Sequence, residues 1–225
     1  SVGFVVSLSG GADSAACAIL VALMVRNALA ELGAERLVGT LDYCDLESCG
    51  GSAEQMTTRL LTCVYQATKN SSEVTRNAAS SVASGVGATF LVLDVDDLVN
   101  TYVELASGGL GRELTWATDD LALQNIQARS RAPSVWLLAN VKGALLLATS
   151  NRSEAAVGYA TMDGDTCGGL SPIAGIDKAF LRQWLQWMEQ KGPADGPPLT
   201  FLRAVNEQQP TAELRPLESK QTDED

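Results

Sequence analysis

The sequence predicts an α/β protein, a Rossmann-like open parallel sheet with helices on both faces, on three observations. Short apolar runs of strand length alternate with longer helical patterns, which is the order typical of parallel sheets. The chain has 225 residues, of which 46% are hydrophobic, enough for one domain with a complete core. A glycine-rich turn, residues 9–14, joins the first apolar run to the first helical pattern.

Four apolar runs account for the predicted sheet. They cover residues 3–8, 61–66, 88–93 and 143–149. Runs of this length are typical of buried strands. Because helical patterns separate them, the strands are expected to be parallel.

Local signals mark several helix ends. The first helical pattern begins at Ala12 and ends near Gly33, a residue type common just beyond helix ends. Two aspartates lie in the first turn of the pattern that starts at Thr118, where acidic side chains suit the helix dipole. Pro133 is expected to interrupt that pattern. The remaining patterns cover residues 55–60, 73–86, 96–106 and 178–188, whereas residues 35–41 are mixed and residues 42–52 and 108–111 are expected to be loops.

The glycine-rich turn predicts a phosphate-binding loop. The first N–H groups of a helix have no partner within the helix and carry the positive end of its dipole. Gly10 and Gly11 let the backbone approach a phosphate closely, and Ser9 and Ser14 add hydroxyl donors. Asp13 cannot bind phosphate directly, so its expected role is to hold Mg²⁺ against it. The loop has no lysine and therefore differs from the loop of P-loop NTPases.

Charge and residue types argue against several classes of protein. The formal net charge is −11, which disfavours a nucleic-acid-binding face because phosphate backbones require a basic surface. No apolar run is expected to reach the length that spans a bilayer, which argues against a membrane protein. The chain has no histidine, and this excludes Ser-His and Cys-His catalysis within it. The five scattered cysteines predict free thiols in a cytoplasmic protein rather than disulfides or a metal site.

A second polar segment, residues 149–154, follows the fourth apolar run. The carboxyl ends of parallel strands meet at one edge of a sheet, so this segment and the glycine loop are expected to lie together. Asp13 and Glu154 would then be two carboxylates able to share one Mg²⁺ in a nucleotide site. Taken alone, Glu154 is better explained as favourable charge at the start of a helix.

The glycine loop resembles the pyrophosphate loop of the N-type ATP pyrophosphatases. The longer pattern resembles the NAD⁺ synthetases, specifically the synthetase domain of the glutamine-dependent type. The resemblance rests most on residues 149–159, Thr-Ser-Asn-Arg-Ser-Glu-Ala-Ala-Val-Gly-Tyr. Further matches follow in family order and extend the resemblance over nearly the whole chain, at residues 70–73, 125–129, 170–178 and 210–214. The fold it implies is that of the adenine nucleotide alpha hydrolases.

The resemblance implies a ligase that converts deamido-NAD⁺ to NAD⁺ in two steps. The nicotinate carboxylate attacks the α-phosphorus of MgATP and pyrophosphate leaves, after which ammonia attacks the adenylated acyl group and AMP leaves. Such chemistry needs stabilisation of phosphate charge more than it needs an acid or base. This favours Asp13, Lys178 and Glu154 as the catalytic residues. By resemblance, pyrophosphate would bind Ser9, Gly10, Gly11 and Ser14, Mg²⁺ would bind Asp13 and Glu154, ATP would contact Thr149, Lys178 and Thr211, and deamido-NAD⁺ would contact Asn125, Arg129 and Glu154.

Two arginines of this region are interpreted differently. Without the resemblance, Arg129 would be explained as solvated helix surface. Arg131 lies two residues further along the same helical pattern and is expected to point elsewhere.

The resemblance also implies partners and a longer parent protein. Residues 1–225 are expected to be the synthetase domain of a chain that carries an amino-terminal glutaminase domain and a carboxyl-terminal tail outside them. The family is commonly homodimeric through this domain, which predicts a homodimer or higher homo-oligomer. Met162 and Gly169 stand where many members carry lysine and aspartate.

Two alternatives remain open from the sequence. Another N-type ATP pyrophosphatase, such as a GMP synthetase or a tRNA-thiolating enzyme, would share the glycine loop, although the charge of −11 disfavours a tRNA partner. A nucleotide-binding module without turnover is disfavoured by the pair Asp13 and Glu154, because binding alone needs no second metal carboxylate.

Overall fold

The computed structural model describes residues 1–208 and 214–215, and within them four parallel strands form one sheet. The order is β3-β2-β1-β4, so the chain builds outward on one side of β1 and then crosses to the other side. The predicted fold class is confirmed, with the fourth strand shorter than expected because Gly143 instead ends the preceding helix in a left-handed conformation. The strands are β1 (Phe4–Ser7), β2 (Leu61–Ala67), β3 (Thr89–Asp94) and β4 (Leu145–Leu147).

Helices connect the strands and follow the sheet. They are α1 (Ala12–Leu32), α2 (Ala34–Thr40), α3 (Ala53–Leu60), α4 (Glu73–Val86), α5 (Asp96–Leu110), α6 (Trp116–Arg129), α7 (Ala132–Lys142), α8 (Arg152–Val157), α9 (Lys178–Gln190) and α10 (Arg203–Asn206). The interruption expected at Pro133 is confirmed, since α6 ends before it and the proline lies in the first turn of α7.

Three segments differ from the sequence interpretation. The mixed segment at residues 35–41 is the helix α2. The expected loop at residues 108–111 is instead the end of α5, because the carbonyls of Gly108 and Ser107 accept hydrogen bonds from the N–H groups that follow the helix. The polar loop at residues 42–52 contains two short 3₁₀ turns that bury Cys44, Leu46 and Cys49 against Met56 of α3.

Alternating strand residues pack on helices at both faces of the sheet. Val6, Cys63 and Leu147 face one layer, which includes α1, α4 and α9. Val5, Val64 and Leu146 face the other layer, where Val135 and Ala139 of α7 are buried. This alternation follows from the two-residue period of a strand, and it anchors both helix layers to the same central strands.

One expectation about helix length is wrong. Among the described residues, α1 has 21 residues and is long and apolar enough to cross a membrane. In this fold it is a core helix, because its first half packs into the cluster that contains Val6, Cys63 and Leu147. Its buried residues include Ala15, Ala16, Cys17, Ala18 and Ile19.

The strand order creates a crevice at the carboxyl edge of the sheet. The connection after β1 leads toward β2 on one side, whereas β4 pairs with β1 on the other side. In open α/β sheets ligands bind outside the carboxyl ends of the strands at such a reversal. The glycine loop after β1 and the segment after β4 flank this crevice.

Candidate active site

The glycine loop is closed by hydrogen bonds among its own residues. Ser14 Oγ accepts a hydrogen bond from Ser9 N at 3.2 Å and donates to the Gly11 carbonyl at 3.2 Å. Ser9 Oγ accepts from Gly11 N at 3.3 Å. Gly10 has φ +87°, and a Cβ there would lie 2.2 Å from the Thr75 carbonyl oxygen of α4. Only glycine fits this position, so internal contacts and α4 fix the shape of the loop.

Asn151 joins Asp13 to the polar segment after β4. Its side-chain Nδ2 donates to Asp13 Oδ1 at 2.8 Å. Its Oδ1 accepts from Glu154 N at 3.0 Å, while Glu154 Oε2 accepts from Asn151 N at 3.3 Å, which forms a capping box at the start of α8. The two carboxylates named from the sequence are therefore linked through one buried amide.

Lys178 lies between the same two carboxylates. Its Nζ donates to Asp13 Oδ2 and to Glu154 Oε1, the latter at 3.3 Å. Lys178 is the first residue of α9, and its backbone N donates to Ser153 Oγ at 3.0 Å. The starts of α1, α8 and α9 thus meet at a single ammonium group.

Burial and charge shift the ionisation of this cluster. Desolvation and the charge of Asp13 raise the pKa of Glu154, and Lys178 opposes that effect. Burial acts to lower the pKa of Lys178, but the charges of Asp13 and Glu154 and the hydrogen bonds with them outweigh it, so its pKa is raised. The arrangement is one protonated amine that compensates two neighbouring carboxylates. Removing that positive charge would leave two carboxylates close together without compensation.

A cavity of about 400 Å³ opens above the cluster, at the carboxyl edge of the sheet. Gly11 is the N-cap of α1 and provides no side-chain acceptor for the first turn of that helix. The predicted residues that line the cavity are Ser9, Gly10, Gly11, Asp13, Ser14, Asn125, Thr149, Glu154 and Lys178. Thr211, assigned to ATP by resemblance, lies outside the described residues.

The residues expected to contact deamido-NAD⁺ do not all line the cavity. Asn125 lines the cavity and its Oδ1 accepts from Thr161 Oγ1 at 3.2 Å. Arg129 Nε donates to the Met162 carbonyl at 2.9 Å, and its side chain lines a neighbouring depression on α6 rather than the cavity. Arg131 does line the cavity, because the chain turns between α6 and α7 and the helical spacing assumed from the sequence does not apply.

The loop at residues 161–170 brings another carboxylate to the cavity. Asp165 lines the cavity, and its Oδ1 accepts from Thr161 N at 2.8 Å. Burial raises the pKa of Asp165. Gly169 donates its N–H to the Leu146 carbonyl at 2.8 Å, and a Cβ there would lie 2.7 Å from Leu145 Cδ1. Gly169 stands where many family members carry aspartate, and here it lies so close to β4 that a larger side chain would meet Leu145.

Two residues of the site were missed by sequence reasoning. The pattern Asn151-x-x-Glu154 is a capping-box signature and marks a helix start, but it does not show that the amide reaches Asp13. Gln66 ends an apolar strand and gives no sequence signal. Its side chain accepts from Ser7 Oγ at 2.8 Å and donates to Ser134 Oγ at 2.5 Å, tying the ends of β1 and β2 to α7.

The comparisons with known proteins point to one family. The profile of the NAD synthase family matches residues 1–225. A glutamine-dependent NAD(+) synthetase of Homo sapiens is 32% identical over 99% of this chain and 34% of its own length. The crystal structure of a glutamine-dependent NAD(+) synthetase from Cytophaga hutchinsonii matches with a TM-score of 0.82 and 45% identity, over 95% of this chain and 36% of that one.

A further solved relative contains a nucleotide. It is a glutamine-dependent NAD⁺ synthetase from Acinetobacter baumannii in complex with adenosine diphosphate, with a TM-score of 0.61 and 25% identity over 94% of this chain and 33% of that one. The chain spans about a third of the length of these relatives.

Proposed function

The chain belongs to the NAD synthase family, and we propose that its site amidates deamido-NAD⁺ to NAD⁺ at the expense of ATP. The observation that carries this proposal is the meeting of Asp13, Glu154 and Lys178 beside the glycine loop. The other classes considered from the sequence are not favoured, because the relatives reported above are NAD⁺ synthetases.

The first half-reaction joins the two substrates. A nicotinate carboxylate oxygen forms a bond to the α-phosphorus of ATP, and the bond to the bridging oxygen breaks so that pyrophosphate leaves with the electron pair. The glycine loop holds the pyrophosphate through backbone N–H groups and the hydroxyls of Ser9 and Ser14. Lys178 places an ammonium group next to the phosphates, whose negative charge grows as the leaving group forms. The A. baumannii relative is a complex with adenosine diphosphate, which supports a nucleotide as a ligand.

A divalent cation fits the acidic pair. Asp13 and Glu154 already share one cation, the ammonium of Lys178, and carboxylate oxygens are hard ligands that suit Mg²⁺ together with substrate phosphates. We propose that these two carboxylates hold Mg²⁺ when ATP is bound. The ion would supply further neutralisation of phosphate charge.

The second half-reaction forms the amide. Ammonia attacks the adenylated acyl carbon, AMP leaves, and the nitrogen loses a proton. Asn125 and Arg131 lie on the side of the cavity formed by α6 and α7, where deamido-NAD⁺ would extend from the nucleotide. Arg129 donates through Nε to the Met162 carbonyl and lines the neighbouring depression on α6.

The partners are proposed from the relatives. Because the named relatives are glutamine-dependent and much longer than this chain, a glutaminase domain in the same protein would supply ammonia. A homodimer and a cytoplasmic location are also proposed, the latter because all five cysteines are free thiols.

The decisive experiment measures NAD⁺ and pyrophosphate together. The chain is supplied with MgATP, ammonium salt and deamido-NAD⁺, and equal amounts of NAD⁺, AMP and pyrophosphate are expected. Replacing deamido-NAD⁺ with xanthosine monophosphate tests the GMP synthetase alternative. Nucleotide binding without any pyrophosphate release would contradict the proposal and favour a module without turnover.

A further inference from the structure

Asn151 is the residue through which the two acidic groups of the site are joined. The residue is polar but only 1% exposed. The amide nitrogen contacts Asp13 on α1, and the amide oxygen contacts the first turn of α8. Buried polar groups of this kind are costly unless each of their donors and acceptors is satisfied.

The orientation of this amide follows from its partners. Glu154 N is a donor, so the atom of Asn151 that faces it at 3.0 Å must be the oxygen. The nitrogen must then face Asp13 Oδ1, which accepts at 2.8 Å. Aspartate at this position would keep the acceptor and lose the donor, while serine would keep a helix cap but is too short to span both contacts.

We propose that Asn151 is a positioning residue that fixes Asp13 relative to Glu154, in addition to capping α8. The proposal rests on the proposed function, because it concerns the pair assigned there to the metal and the nucleotide. Asp13 has one carboxylate oxygen on Asn151 and the other on Lys178. When Lys178 turns toward phosphate, the bond from Asn151 is the contact that still holds the Asp13 carboxylate in place.

A role limited to helix capping makes a different prediction. Aspartate and serine cap helices about as well as asparagine. If capping were the whole role, Asn151→Asp and Asn151→Ser would behave like the unchanged protein. If Asn151 positions Asp13, both variants lose function while α8 keeps its cap. The two variants differ in charge, so an effect common to both cannot arise from an added carboxylate.

The test compares these variants with a matched loss of a cap elsewhere. Ser52 caps α3 by accepting from Gln55 N at 3.3 Å, and the adjacent Gly51 lies against Ala34, beyond the far end of α1. Ser52→Ala therefore removes a cap away from the cavity. Thermal unfolding, calorimetric affinity for MgATP, and turnover with deamido-NAD⁺ and ammonia are measured for all proteins.

For Asn151→Asp and Asn151→Ser we expect cooperative unfolding to be retained, MgATP binding to be weaker, and turnover to be reduced about tenfold to a hundredfold. Ser52→Ala is expected to keep the affinity and turnover of the unchanged protein. Unchanged affinity and turnover in either variant would overturn the positioning role. Loss of the folded state in both would overturn it as well, since the residue would then be structural. If the unchanged protein makes no NAD⁺, the proposed function fails, and MgATP affinity alone still tests Asn151.

Discussion

At the scale of single residues, Asp13 is the group on which the site depends most. It contacts Asn151 and Lys178, and it belongs to the loop expected to hold pyrophosphate. Asp13→Asn keeps an oxygen that can accept from Asn151 but removes the charge that a metal requires. We expect turnover to fall about a hundredfold or more, with the folded state retained. Steady-state rates at saturating MgATP measure the effect.

The matched control for this change is Asp45→Asn. Asp45 has positive φ, which asparagine tolerates, and its ion pair with Arg59 is exposed. This control is expected to keep full turnover. Near-normal turnover in Asp13→Asn would contradict the assignment of that residue.

Lys178→Met should impair adenylation more than ATP binding. The Lys178 ammonium faces two carboxylates and is expected to meet phosphate oxygens whose charge grows during transfer. Turnover should therefore fall more than MgATP affinity, and the two are separated by rate measurements and calorimetry. Lys191→Met, at the exposed other end of α9, is the control. Equal losses of affinity and turnover would instead indicate uniform binding.

At the scale of elements, the sequence predicts the β1–loop–α1 unit well and the α8–α9 junction poorly. Strand period, glycine turn and helix start are local patterns, and the rule that strand ends share an edge predicts the approach of Asp13 to Glu154. For Lys178, only the family resemblance indicates a role in the site. Its position depends on a long-range contact between the starts of α8 and α9, through Ser153, that no local pattern encodes.

Alanine substitutions at two glycines, one in the glycine loop and one in α5, are expected to change the stability of the protein in opposite directions. Gly10→Ala forces a side chain into φ +87° and into the Thr75 carbonyl, so it should destabilise the protein by about 1 kcal/mol or more. Gly109 lies inside α5, with open space where a Cβ would be. Gly109→Ala should stabilise by roughly 0.5–1 kcal/mol. Chemical denaturation of both variants measures the difference, and equal effects would contradict the strain assigned to the loop.

At the scale of the whole molecule, the cysteines bear on the nitrogen donor of the proposed reaction. Hydrolysis of glutamine needs an activated nucleophile, usually a thiolate next to a base or cation. Burial raises the pKa of Cys17 and of Cys63 to about 12. Burial also raises the pKa of Cys44, and for Cys167 the charges of nearby aspartates add to the effect of burial. These four thiols stay protonated at neutral pH. Cys49 is buried in the small core beside α3, and the sequence has no histidine to activate any of the five.

We therefore expect this chain alone to form NAD⁺ with ammonium salts and not with glutamine. The rate should increase from neutral to mildly alkaline pH, because deprotonation of ammonium supplies the free ammonia that attacks the acyl adenylate. NAD⁺ is measured with each donor supplied separately, together with deamido-NAD⁺ and MgATP. A variant in which all five cysteines are replaced by alanine or serine shows whether any product formed with glutamine depends on a thiol of this chain. Synthesis with glutamine that disappears in this variant would mean that one of the thiols is active despite its environment, and it would contradict the proposal that a separate glutaminase domain supplies the ammonia.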